Sequence, residues 1–281
     1  MIVIAESFFV QMVFVFGFVI LCGMFISFCN KCFYDACGDA AFPIVRITGF
    51  VGTPIHELSH ALMCLLFGHT ITRMKLVNTD RRSRTLGYVE HTYYKTNLYH
   101  QIGNYFIGIS PILAGGMAVI FLLWLLVPDV YGRMAAQVGV GTMTLQGVAS
   151  CLGGMATALF DGGNFADPRF WICLVFSFMV VIHMEISRSD IRSGLRGLGV
   201  IAAMILIADL ILGFLFPAAL TAFTEFCVRI GVFSAFFLML PSVFSGMIGF
   251  LSLVVFAFRS VPRGQTRAVA VNHHRAEKKR K

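Results

Sequence analysis

The chain has 281 residues, of which 58% are hydrophobic and 13% charged, with a mean hydropathy of +0.82. A soluble domain carries about 25% charged residues, so this balance excludes a soluble globular enzyme and a disordered chain, and it leaves a polytopic membrane protein. The net charge is +8, and eight Lys/Arg against the single acid Glu277 lie between Arg259 and Lys281. The rest of the chain is close to neutral, so no nucleic-acid partner is expected.

A membrane span needs about 20 mostly apolar residues. Six segments meet that demand: 8–28, 47–67, 102–127, 170–187, 198–222 and 230–258. Glu6 stands before the first where a signal peptide carries Lys or Arg, and the sequence reads there as a retained helix. Residues 70–95 differ in character. Ile71 to Val77 and Leu86 to Tyr94 are rich in Thr, Val, Tyr and Ile, with the polar run 78–84 between them, which reads as a small β-hairpin. The Gly- and Ala-rich stretch 133–165 is expected to form an interfacial or re-entrant helix.

Basic residues orient the spans. The segments 68–101 and 188–197 and the tail hold 17 of the 22 Lys/Arg. With these inside, six spans place both termini in the cytoplasm, in a multi-pass protein of the cell membrane. The tail is suited to contact anionic lipid. The expected fold is all-α and polytopic, with about six transmembrane helices and the hairpin. Its parts are an N-terminal helix and outer loop (1–43), a core (44–197), two C-terminal helices (198–258) and the basic tail (259–281).

One motif carries chemistry. His56-Glu57-Leu58-Ser59-His60 is an H-E-x-x-H. On a helix the two histidines are one turn apart and face the same way, so they present two nitrogens to one Zn²⁺. Glu57 is placed beside them to take a proton from the attacking water. Ionisable groups in the middle of a span are expensive without partners or a function. Thr53-Pro54 just before the motif is expected to break or kink the span, so that the motif opens a fresh helix.

The run Gly52-Thr-Pro-Ile-His-Glu-Leu-Ser-His-Ala-Leu-Met-Cys-Leu-Leu-Phe-Gly68 resembles the active-site helix of the site-2-protease-like intramembrane zinc metalloproteases. Gly108-Ile-Ser-Pro111-Ile-Leu-Ala-Gly115, one span later, is similar to the Gly-Pro helix of that family. The likeness covers about residues 44–197. It implies a core of three spans, a Zn²⁺ cofactor buried in the membrane, and hydrolysis of a peptide bond in or near a transmembrane segment of a membrane-protein substrate. It also implies a strand after the active-site helix, here 86–94, that pairs with extended substrate.

A catalytic zinc takes three protein ligands and keeps one position open. The family draws its third ligand from an Asp-Gly motif. Asp161-Gly162 matches it superficially, but lacks the Asn-x-x-Pro expected before it and falls in an outer connection. The end of the fourth span offers His183 and Asp190. On a continuous helix at about 1.5 Å per residue, His183 lies about 6–7 Å from the midplane, near the level of His60, and Asp190 about 17 Å away. His183 is therefore the expected third metal ligand beside His56 and His60, with Asp190 as the alternative.

Other polar residues read more plainly. Cys22, Cys64, Cys151, Cys173 and Cys227 are scattered through apolar segments as packing residues. Cys29, Cys32 and Cys37 fall in the first outer loop and read as loop cysteines without a special role, with one disulfide as the alternative if the loop faces an oxidising space. Asp209 is expected to hydrogen-bond a neighbouring helix. Asn104, near the start of the third span, is a cap or a contact for substrate backbone. The competing reading is a non-catalytic transporter or scaffold whose His/Glu cluster is structural or holds a transported ion.

Overall fold

The computed structural model describes residues 2–80, 83, 85–137 and 145–278; the side chains of 145, 148, 236 and 259–278 are not described. It is 83% helical, with one small antiparallel sheet. Among the described residues, four helical stretches are long and apolar enough to cross a membrane: Ile2–Leu66, Leu98–Leu126, Arg188–Leu215 and Pro217–Phe258.

The first stretch is two helices in one. Helix α1 (Ile2–Met12) continues through a wide turn at Val13–Gly17 into α2 (Phe18–Cys37). Cys29, Cys32 and Cys37 are therefore helical rather than in a loop, and all are free thiols. At Gly38 the chain takes φ 56°, a left-handed conformation that suits a residue without Cβ. One short turn later α3 (Ala41–Leu66) begins.

Ring and side-chain neighbours fix the directions. Along α4 (Leu98–Leu126), Phe16 meets Tyr105 at 5.1 Å and Gly23 meets Ile112, so α2 and α4 are parallel. On α3, Phe67 just past its end stacks on Phe106 at 5.0 Å, while Ser59 meets Ser110, so α3 is antiparallel to both.

Strands β1 (Thr70–Lys75) and β2 (Tyr88–Thr92) pair antiparallel, with Thr70 opposite Thr92 and Lys75 opposite Tyr88. They occupy the two stretches expected for the hairpin. Their connection does not sit beyond the end of α3, where a cytoplasmic turn was expected. It runs back along that helix, and the Arg46 guanidinium donates to Thr79 O at 3.0 Å. Leu86 packs with Phe33, Val45 and Ile182, so the connection is anchored by apolar burial.

Beyond α4 come the short helices α5 (Pro128–Ala135), of which only the last residues enter the stretch 133–165 expected to be interfacial or re-entrant, and α6 (Leu145–Leu159), which lies inside it. Helix α7 (Pro168–Val181) has only 14 residues and stops early. Residues 182–187 are non-helical, and α8 (Arg188–Leu215) starts at a capping box formed by Ser187 and Asp190. This differs from the expected continuous span to 187 and loop to 197. Ser187-x-x-Asp190 satisfies the free N–H groups of a new helix start, and that stabilises a beginning there.

Helices α7 and α8 together lie antiparallel along α4: Met184 faces Gly115, Asp190 faces Gly108 and Gly197 faces Tyr105. Helix α9 (Pro217–Lys278) begins at once after Phe216, with proline in its first turn, so the expected junction between 222 and 230 lies instead at 216–217. Phe14 meets Gly231 and Cys29 meets Gly249, so α9 is parallel to α1–α2. Ile2 and Phe258 therefore lie at opposite ends of the bundle, whereas six alternating spans would bring the ends together.

The main core joins α2, α4, α7 and α9 through Ile26, Ile112, Leu123, Phe170, Val181 and Leu238. Asp209 is fully buried and accepts from Gln11 Nε2 at 3.0 Å, and the same amide donates to Thr224 at 2.9 Å, which ties α1, α8 and α9 together as a structural bond.

Candidate metal centre

Helix α3 passes through Pro54 without a break, so the motif does not open a fresh helix. His56 and His60 lie one turn apart on it, with Nε2 atoms 3.2 Å from each other. Each ring is held by its other nitrogen. His56 Nδ1 bonds to His183 O at 2.7 Å, and His60 Nδ1 to Ile107 O at 2.9 Å. A carbonyl can only accept, so both Nδ1 atoms carry a proton, and in the neutral form of each ring Nε2 keeps the lone pair.

The two carbonyls are available for reasons legible in the chain. Pro111 has no N–H, so Ile107 O loses its partner one turn later in α4. His183 O lies in the unwound stretch after α7 and has no helical donor to meet. The breaks in two neighbouring helices thus supply the acceptors that orient two imidazoles.

Asp190 completes the group. Its Oδ2 lies 3.7 Å from His60 Nε2, and the donor atoms of His56, His60 and Asp190 all fall within 4.8 Å of one another. The carboxylate is also held by Ser187, through its backbone N–H and its hydroxyl. The expected third donor, His183, is placed differently. Its Nε2 is 3.0 Å from Thr48 Oγ1, and it reaches the pair through its backbone carbonyl.

Only on one continuous helix through 187 would His183 lie nearer the level of His60 than Asp190 does. Unwinding at 182–187 brings Asp190 back against the middle of α4. Two glycines make that approach possible. A Cβ on Gly52 would stand 2.3 Å from Met179 O and 2.4 Å from His183 Cδ2, and one on Gly108 would stand 2.8 Å from Asp190 O. The end of α7 and the His183 ring therefore nest on α3, and the start of α8 on α4.

Two imidazole lone pairs and a carboxylate that face one another repel until a proton or a metal cation lies between them. Two His nitrogens and one acidic oxygen are a donor set of zinc-enzyme type, and metal-binding imidazoles are commonly held as these are, by donating the other ring N–H to a backbone carbonyl. The residues fit a divalent ion.

Glu57 is buried, at 7% exposure, beside the two histidines on α3. The chain returning from the hairpin covers it: a Cβ on Gly87 would lie 2.8 Å from Glu57 Cγ and 2.7 Å from Thr53 Cγ2. Next to this contact a cavity of about 320 Å³ opens between α3 and that chain, lined by Arg46, Phe50, Thr53, Val77, Asn78 and Leu86.

Asp161 takes no part in the group; it caps a turn by accepting from Gly163 N–H. Asn104 is fully buried inside α4, with neither polar atom of its amide hydrogen-bonded, so it is neither a cap nor an open contact for substrate. The sequence reading missed the carbonyls of Ile107 and His183 and the glycine at 87. The i to i+4 rule at Pro111 and the Ser-x-x-Asp box at 187 were the available signals. No family model, curated protein or solved structure matches the chain.

Proposed function

We propose that the chain is an intramembrane zinc metalloprotease of the site-2-protease type, acting on peptide bonds in or near transmembrane segments of membrane proteins. The observation that carries the reading is the convergence of His56, His60 and Asp190 within 4.8 Å on ring nitrogens held by backbone carbonyls. In this reading His56 Nε2, His60 Nε2 and the Asp190 carboxylate hold Zn²⁺, and Glu57 is the general base. When bound, the ion would polarise the scissile carbonyl and acidify water.

The chain's own residues do the rest. Glu57 takes a proton from the attacking water on its carboxylate and returns it to the leaving amine. His183 O and Ile107 O hold the two imidazoles so that their Nε2 lone pairs stay inward. The hairpin connection shields Glu57 at Gly87, and the adjoining cavity gives water a place beside Thr53. The two-stranded sheet leaves each strand one edge without a described partner, and an extended substrate segment can add there.

The protein is read as an integral, multi-pass membrane protein. The parallel course of α1–α2 and α9 favours opposite faces for the two chain ends, with the basic tail at the cytoplasmic, anionic-lipid face. The number of crossings then follows the bundle: α1–α2, α3, α4, α7 with α8, and α9.

The test is zinc content together with cleavage of a membrane substrate by the full-length chain. Glu57→Gln is expected to keep its zinc and lose about 10²–10⁴-fold in turnover. Retained cleavage by a folded, zinc-loaded Glu57→Gln would exclude this mechanism.

A further inference from the structure

One helical turn beyond His60, α3 carries a second inward-facing donor. Cys64 is fully buried. Its Sγ lies within 4.8 Å of a ring nitrogen of His69 and one of His91, and the two histidines are equally close to each other. His69 follows the end of α3, is 3% exposed and donates Nε2–H to His100 O at 2.9 Å. That bond leaves its Nδ1 with a lone pair, aimed at His91 Nδ1 only 3.0 Å away. His91 sits on β2, and Tyr93 stacks on the His69 ring at 4.8 Å and an interplanar angle of 15°, fixing it in place.

We propose that Cys64, His69 and His91 form a second metal site, distinct from the His56/His60/Asp190 centre, that takes a thiophilic divalent ion such as Zn²⁺. One thiolate and two imidazoles are a donor set selective for zinc-like ions over Mg²⁺ or Ca²⁺. On binding, Cys64 gives its proton to solvent and the three donors keep a fourth position for water. No carboxylate belongs to the group, and its role is structural. It clips the end of α3 to β2. The hairpin whose returning chain covers Glu57 is thereby tied to the helix that carries Glu57.

A hydrogen bond from His91 Nδ1–H to His69 Nδ1 would satisfy the same ring pair without an ion. Cobalt separates the two cases, because a thiolate bound to Co²⁺ absorbs in the near ultraviolet and an imidazole–carboxylate centre does not. The full-length protein, in detergent micelles, is stripped with chelator and titrated with Co²⁺ alone. The wild type is expected to take two ions per chain and to show the thiolate band. Cys64→Ala should lose the band and one ion. His91→Ala, on the sheet and away from the helical core, should weaken the thiolate-linked ion by about tenfold or more. The double variant His56→Ala/His60→Ala should lose one ion and keep the band, so failure of the protease reading would not remove this one. Absence of a thiolate band in the wild type, or a band unchanged in Cys64→Ala and His91→Ala, overturns the proposal.

Discussion

Helix α3 and the α7–α8 pair both supply donors to the same centre, and they treat helix continuity in opposite ways. Helix α3 runs about 39 Å at 1.5 Å per residue, straight through Pro54. Helix α7 stops at Val181, although residues 182–187 contain neither proline nor glycine. A break buried in an apolar bundle leaves backbone carbonyls without donors, and such backbone is tolerated only where the protein satisfies it. Here it does: Asn30 Nδ2 donates to Ile182 O at 3.2 Å and His56 Nδ1 to His183 O at 2.7 Å. A break is thus decided less by a residue that disfavours helix than by neighbours that donate to the freed carbonyls and by a cap that starts the next helix.

That contrast can be tested directly. If the break exists to deliver Asp190, Asp190→Ala should have the largest effect. Zinc affinity should fall at least about 10²-fold, since even the partners of metal ligands are worth 10–100-fold. His183→Ala retains the backbone carbonyl and should leave zinc content unchanged, so the pair of variants read side by side by metal analysis identifies the ligand.

Closing the cradle should come next. Gly52→Leu drives a side chain into Met179 O and the His183 ring. A loss of about 3 kcal/mol is expected, the upper end for overpacking, readable as a lower thermal midpoint with zinc released. An unaffected Gly52→Leu would mean that the unwound stretch is not seated on α3.

The smallest expected effect concerns the other break. Pro111→Ala restores an N–H in α4 that competes with His60 for Ile107 O. Zinc affinity should drop by about tenfold, the lower end for disturbing the partner of a metal ligand, while the helix itself gains stability. Direct titration with zinc checks it, and an unchanged affinity would show that His60 needs no help from that carbonyl.

The legible part of the protein is the local part. Composition pointed to an apolar helical bundle, alternating β-prone residues to the hairpin, and the four-residue spacing of His56 and His60 to one helix face. These depend on neighbours in sequence, where spacing translates directly into geometry. The misplaced elements were those settled at a distance. The chain after β1 was read as a polar turn beyond the helix end, because its polar run is visible and its burial partners Phe33, Val45 and Ile182 are not. Cys64 reads as packing in the sequence, because His91 reaches it only when β2 folds against α3.

The sequence alone thus determined an apolar, helical chain with two imidazoles and a carboxylate on one segment, since hydropathy and helical periodicity act within a few residues. Only the tertiary structure decided which acid joins them. Asp190 reaches His60 because α7 unwinds, because Asn30 and His56 bond the freed carbonyls, and because Gly52 and Gly108 leave room for that backbone. Each of those contacts links residues far apart in the chain, and a buried backbone break is stable only when all of them are made together.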